Sequence, residues 1–316
     1  MNILANDGIS QSGIDALKSY GFNIITNNVA QEQLVNYINM NSIEAILVRS
    51  ATTVRKDLID SCPNLKLIGR GGVGMDNIDV EYAKNKNIHV INTPAASSAS
   101  VAELVFAHLY GGVRFLYDSN RNMPLEGESN FKVLKKNYSK GVELRGKTIG
   151  IIGLGRIGQE VAKIAIGIGM NVVACDEYHN EVDIVINFTD NKSLNFKIKT
   201  ITKVELLKKA DFITLHVPAQ KNYVIDSKEL SLMKNGSAII NAARGGVINE
   251  ASLISALNSG KLSFACLDTF ENEPKPEIKI LMNSKISLTP HIGAATKEAQ
   301  DRIGLELANQ IKDIFK

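Results

Sequence analysis

Three polar side chains stand just past apolar, strand-like runs and together could exchange a proton next to a bound anion. In GSAIINAARGGVINE, Arg244 follows such a run and two glycines give it clearance. In FACLDTFENEPKP, Asp268, Glu271 and Glu273 all qualify as the carboxylate, Glu273 standing before a proline that limits its backbone. In SLTPHIGAAT, His291 sits between a proline and a glycine. Histidine exchanges protons near neutral pH. A neighbouring carboxylate fixes its tautomer and favours its charged form, and arginine forks onto a carboxylate or carbonyl oxygen. The other histidines invite plainer readings. His89 in NIHVI and His108 within a helix read as packing residues, His179 as solvated, and His216 at the end of DFITLHVP as a partner for backbone or ribose. Cys62, Cys175 and Cys266 are far apart, form no zinc-binding pattern and supply His291 with no co-ligands, so no metal is expected.

The strongest local signal is KTIGIIGLGRIGQEVAKIAIGIGMNVVACD. A strand runs into Gly153-Leu-Gly155-Arg-Ile-Gly158 and a helix begins at once. Gly153 permits the tight turn, Gly155 lets backbone approach a pyrophosphate, and Gly158 allows close helix–strand packing. The helix start then offers unpaired N–H groups to the phosphates. Asp176 follows a second strand, near the ~20-residue distance expected of an acidic residue on ribose hydroxyls. Its charge repels a 2′-phosphate, so NAD is expected over NADP. With a hydride carrier in place, the proton-exchanging set suits oxidation of a hydroxy acid.

These residues need parallel strands to hold them, because ligands of doubly wound sheets sit at the carboxyl ends of strands. NILAN, FNIIT, EAILV, LKLIG and IHVIN alternate with amphipathic stretches. KTIGIIG, NVVACD, DFITLH, SAIIN, FACLD and KISLT repeat the rhythm. The fold expected is α/β, two Rossmann-like parallel sheets covered on both faces. A helix over Ser97–Leu116, a looser polar segment to Arg145 and a last helix from Thr296 divide the chain. Residues 1–95 with 290–316 read as a discontinuous substrate-binding domain, and 96–289 as the NAD-binding domain, with hinges near Pro94 and Pro290. The 316 residues are 44% hydrophobic and 22% charged, values of a globular protein. The lysines behind the net charge of +3 are dispersed, which argues against a nucleic-acid partner. No apolar stretch approaches the ~20 residues of a membrane span and no signal peptide opens the chain, so a cytoplasmic location without membrane contact is expected.

VRSAT (48–52), GRGGVGMDNID (69–79), NTP with SVAE (100–103), GIIGLGRIG, NAARGGVI, DTFENEP and PHIGAATKEAQ together resemble the D-isomer-specific 2-hydroxyacid dehydrogenases, over about residues 45–307. The resemblance implies that Arg244, Glu273 and His291 are catalytic, which assigns the carboxylate role to Glu273. It implies NAD contacts from Val73, Arg156, Ile157, Asp176, Val217, Ala242, Asp268 and Gly293, beside the loop glycines. Within the family the chain is most similar to the branch that oxidises 3-phospho-D-glycerate to 3-phosphooxypyruvate, the first step of serine synthesis. That branch implies phosphate contacts from Arg49, Ser50 and Gln300, with Gly72 and Gly74 gripping the carboxylate. A contact position often held by asparagine in that branch is Ser97 here. The partner is then a small phosphorylated 2-hydroxy acid, and a homo-oligomer, a dimer or more, is expected. With Lys316 last, no small regulatory domain and no serine feedback through it are expected. Glycerate or lactate as substrate, or a nucleotide-sensing binding protein on the same fold, are the alternatives. Residues 177–202 form a longer connection than usual, of no evident role.

Overall fold

The computed structural model describes residues 1–316. They form two compact units, Met1–Ser100 with Ala294–Lys316, and Val101–Gly293. Both divisions fall a few residues past those suggested by the sequence.

In the first unit, β1 (Asn2–Ala5), β2 (Asn23–Ile25), β3 (Ile43–Val48), β4 (Leu67–Arg70) and β5 (His89–Asn92) form a parallel sheet in the order β2-β1-β3-β4-β5. Between them run α1 (Gln11–Ser19), α2 (Leu34–Met40), α3 (Lys56–Ser61) and α4 (Val80–Asn85). Successive strand residues face opposite sides, so Leu4, Ile46 and Ile68 enter one core while Ile3, Leu47 and Leu67 enter another. The second of these cores includes Leu17 of α1 and Ile303, Leu307 and Ile311 of the final helix, Lys297–Phe315.

In the second unit, β6 (Thr148–Ile152), β7 (Asn171–Cys175), β10 (Phe212–Leu215), β11 (Ser237–Asn241), β12 (Leu262–Leu267) and β13 (Ile286–Leu288) form a parallel sheet ordered β13-β12-β11-β10-β6-β7. Strand order reverses between β6 and β10, the switch point where such sheets open a crevice for ligands. Ile149, Ile151 and Ile240 pack with Val105, Phe106 and Val161 on one face. Ile213, Ile239 and Leu267 pack with Leu206, Leu253 and Leu257 on the other. The helices are α5 (Ser98–Val113), α6 (Leu116–Asn137), α7 (Arg156–Gly167), α8 (Lys203–Lys209), α9 (Ser227–Leu232), α10 (Glu250–Asn258) and α11 (Ile278–Leu281), so the final helix is α12.

Two segments depart from the sequence reading. The looser polar stretch after Leu116 is mostly helix α6, which starts past a left-handed Phe115 (φ 55°), contains Pro124 and buries only Leu134. A helix with so little to bury carries no apolar period to read. The longer connection after Asp176 is an antiparallel hairpin, β8 (Glu181–Asn187) with β9 (Ser193–Lys199). Its Val182, Ile184, Phe196 and Ile198 join the core beside α7, an alternation visible in EVDIVIN and SLNFKIK. His89 is also exposed rather than internal, with its ring edge against Phe315. No helix is long and apolar enough to cross a membrane.

Candidate active site

His291, Glu273 and Arg244 follow three adjacent strands, β13, β12 and β11. His291 Nδ1 lies 2.8 Å from Glu273 Oε2, and the Phe270 N–H donates to Glu273 Oε1 at 2.9 Å. Burial pushes the Glu273 carboxyl up, but the His291 and Phe270 hydrogen bonds, with the His291 and Arg244 charges, outweigh it and hold the group below its ordinary range. An ionised carboxylate only accepts, so Nδ1 carries the hydrogen and Nε2 keeps its lone pair for exchange. The pair is about two-fifths exposed, at 39% and 36% of the two side chains. A cavity of about 410 Å³ adjoins it, walled by Phe270, Pro274, Leu281, Leu288 and Pro290.

The supporting loops are tightly built. Buried Asn241 donates from its amide to the Arg244 carbonyl at 2.9 Å and accepts the Ala243 N–H at 3.1 Å, which shapes the turn bearing the arginine. A Cβ at Gly245 would stand 1.7 Å from the Phe270 carbonyl oxygen, so only glycine lets this turn meet the one carrying Glu273. The same two loops are cross-linked by backbone N–H bonds onto each other's carboxylates, Glu250 N–H to Glu271 and Glu271 N–H to Glu250, both at 2.9 Å. Glu271 is thereby committed to α10 while Glu273 reaches the histidine. Burial raises the Glu250 carboxyl pKa.

Asp268 is 1% exposed, with its carboxylate turned onto the His291 loop rather than outward. It accepts from the Thr289 hydroxyl at 2.6 Å and from the Ile292 and Gly293 N–H groups, each at 2.8 Å. His108 Nε2 lies 2.9 Å from the same Thr289 hydroxyl oxygen, and its Nδ1 lies 2.9 Å from Ser287 Oγ. The sequence reading missed this chain behind the His291 loop. A histidine inside a helix carries no signal of a partner so far away in sequence.

The cofactor loop opens at the switch point. Gly153 has φ 95°, and a Cβ there would stand 2.4 Å from the His216 carbonyl oxygen. Gly155 precedes α7 and supplies no side-chain cap, so the first-turn N–H groups of Arg156 and Ile157 remain for an outside acceptor. Nothing stands within 4 Å of the Cβ position of Gly155, leaving room for a pyrophosphate against the backbone. Asp176 ends β7 with its carboxylate hydrogen-bonded to the Leu154 N–H at 2.6 Å. Burial raises its pKa, but three backbone N–H groups and His179 overcome this and hold it below the ordinary range. These features fit a dinucleotide. Val217 packs beside Gly153, Ala242 is buried past β11, and Gly293 is buried on the Asp268 carboxylate. His216 is buried with Nε2 2.9 Å from the Thr214 hydroxyl oxygen and Nδ1 unpartnered; burial depresses its pKa to about 3.

The anion-binding residues suggested by the sequence belong to the first unit. The Arg49 N–H donates to Asp7 at 2.6 Å and its carbonyl accepts from Asn77 at 2.7 Å, while its guanidinium has no partner in the chain. Arg49 and Ser50 follow β3, and Gly72, Val73 and Gly74 follow the neighbouring β4. The Val73 carbonyl accepts from Asn92 at 2.7 Å, and the N–H groups of Val73 and Gly74 are unpaired. Gln300 donates to the Ala294 carbonyl at 2.7 Å at the start of α12, and Ser97 is buried.

The sequence of residues 106–293 matches the family model of the D-isomer specific 2-hydroxyacid dehydrogenase NAD binding domain. The whole chain is 39% identical to a D-3-phosphoglycerate dehydrogenase of Methanocaldococcus jannaschii, of which it spans 58%. Over 91% of its length it is 40% identical to a hydroxypyruvate reductase of Thermotoga maritima, covering 89% of that protein. A crystal structure of a glyoxylate reductase from Paecilomyes thermophila superposes with TM-score 0.82 at 28% identity, over 99% of this chain and 94% of the other.

Proposed function

The chain belongs to the D-isomer-specific 2-hydroxyacid dehydrogenase family, with NAD as its cofactor, and we propose that it oxidises 3-phospho-D-glycerate to 3-phosphooxypyruvate, the first step of serine synthesis. The observation that carries the chemistry is the His291–Glu273 contact, which leaves Nε2 of a neutral imidazole free as a base. Nε2 removes the hydroxyl proton of the substrate. The Glu273 carboxylate stabilises the imidazolium that results. Arg244 holds the substrate carboxylate and polarises the developing carbonyl. NAD, when bound, would supply the acceptor for the C2 hydride, and the balance would be the 2-keto acid, NADH and one proton. The Gly153–Gly158 loop would hold its pyrophosphate and Asp176 its adenosine ribose.

For the substrate, the unpaired guanidinium of Arg49, with Ser50 and Gln300, is the phosphate grip; the Gly72 N–H, expected on the carboxylate, donates instead to the Arg70 carbonyl at 2.9 Å, so the Val73 and Gly74 N–H groups take the carboxylate. The likeness to a D-3-phosphoglycerate dehydrogenase supports this choice. A second reading is an unphosphorylated acid of the glycerate type, favoured by the likeness to a hydroxypyruvate reductase and by Ser97. A cytoplasmic homo-oligomer, a dimer or larger, completes the proposal. Leu125, Phe131 and Val133 of α6 are exposed apolar surface that a second copy would cover.

NADH formation from 3-phospho-D-glycerate, measured beside D-glycerate and D-lactate with a trap for the keto product, tests the reading. Preference for the phosphorylated acid is expected. Turnover of D-glycerate alone would discard the phosphate grip and keep the mechanism. Binding of NAD without turnover of any acid would discard both.

A further inference from the structure

The carboxylate read as the ribose partner does not stand alone. The Asp176 side chain is 8% exposed, and its Oδ1 accepts the N–H groups of Tyr178 at 2.8 Å and His179 at 3.0 Å. The imidazole of His179 closes the turn, with Nδ1 3.0 Å from the same oxygen. Against an ionised carboxylate Nδ1 carries the hydrogen, so Nε2 is the atom that gains or loses a proton. The ring is 46% exposed and exchanges with water.

The surrounding charges leave this pair as the local variable. Glu177 shares the turn, and Arg156 is exposed in the first turn of α7. Lys203 of α8 is committed to the Val224 carbonyl at 3.0 Å and to Glu229 at 3.5 Å. Glu181 of β8 is paired with Lys197 of β9 at 2.9 Å. Past β9, the neutral Thr200 hydroxyl donates to the His179 carbonyl at 2.9 Å.

We propose that His179 is a second determinant of cofactor choice, a positioning residue that sets how strongly Asp176 excludes a 2′-phosphate. With a neutral imidazole the pair carries one negative charge; with an imidazolium it carries none. A phosphate monoester brings about −1.5 to −2 at pH 7, whereas the 2′-hydroxyl of NAD brings no charge. An imidazolium on Asp176 therefore weakens the rejection of NADP, and a neutral ring leaves it at full strength. The inference rests on Asp176 facing the ribose, and its test separates the two.

The intact protein is titrated with NADH and with NADPH by nicotinamide fluorescence between about pH 5.5 and 8.5. The proteins compared are the wild type and His179→Gln, His179→Lys and Asp176→Ala. The ratio of the NADPH Kd to the NADH Kd is expected to fall by about tenfold more on acidification in the wild type than in His179→Gln, as loss of one nearby charge allows. The 2′-phosphate's own titration is shared by all four proteins and cancels in that comparison. His179→Lys, with a fixed charge, is expected to show the low ratio at every pH, and the far-UV circular dichroism of each variant reports that it is folded. Identical pH curves in wild type and His179→Gln would overturn the proposal while leaving Asp176 in place, provided Asp176→Ala lowers the ratio near pH 8. An Asp176→Ala ratio equal to wild type there would overturn both.

Discussion

The glycine-rich strand ends Gly69–Gly74 and Gly153–Gly158 look alike in composition and offer a ligand different things. Each follows a strand of a parallel sheet. After Gly155 a helix of 12 residues begins at once, so its N–H groups and dipole converge on one point. After Gly74 no helix starts until Val80. That loop presents two unpaired N–H groups, and the only strong charge on the neighbouring strand end is Arg49. The first arrangement suits a pyrophosphate held by backbone; the second suits small anions held by a few separate groups. Two similar windings of the chain thus offer a ligand different surroundings because one leads directly into a helix and the other does not.

If the proposed roles hold, substitutions at the His291 site should act on turnover and those at Arg49 on substrate affinity. The largest effect is expected from His291→Asn, with kcat lowered at least about a hundredfold, as loss of general acid–base catalysis gives. Steady-state kinetics that show unimpaired kcat would remove His291 from the mechanism. Arg49→Ala comes next, with KM for 3-phospho-D-glycerate raised about 10- to 100-fold, the worth of a charged hydrogen bond. Its kcat should change little, and a loss confined to kcat would break the division. Asp176→Ala should narrow the preference for NAD over NADP by about tenfold, read from the two kcat/KM values. The smallest effect concerns pH and stability. His216 has a folded pKa of about 3, below that of a free histidine. The unfolded chain therefore binds the extra proton, and stability falls as pH drops from about 6.5 toward 3. By pH 5.5 the loss is about 1 kcal/mol, and His216→Gln should flatten that slope in denaturant titrations. Equal slopes would mean that another group carries the acid sensitivity.

Not every part of the site was legible at the same depth. The residues of the dinucleotide loop are contiguous, so GLGRIG displays its turn, its open backbone and its helix start in six letters. The residues themselves left Asp268, Glu271 and Glu273 open, and only the family resemblance chose Glu273, because carboxylates on one irregular turn share every local property. Packing gives the physical separation: Asp268 turns onto the His291 loop, Glu271 accepts from the α10 N-terminus, and Glu273 reaches His291. The hairpin of β8 and β9 had its alternating pattern on view, and α6 had none because it buries a single leucine.

Strand-forming runs, their alternation with helices and the glycine loop are properties of neighbours in sequence, so the sequence by itself determined the doubly wound sheets and singled out the glycine loop as the candidate dinucleotide site. Pairings across long separations needed the tertiary structure. The chain from His108 through Thr289 to Asp268 and the crossed carboxylates of Glu250 and Glu271 are such pairings. A hydrogen bond depends on a few tenths of an ångström and on direction. No periodicity encodes that; the packing of the strands that bring the loops together decides it.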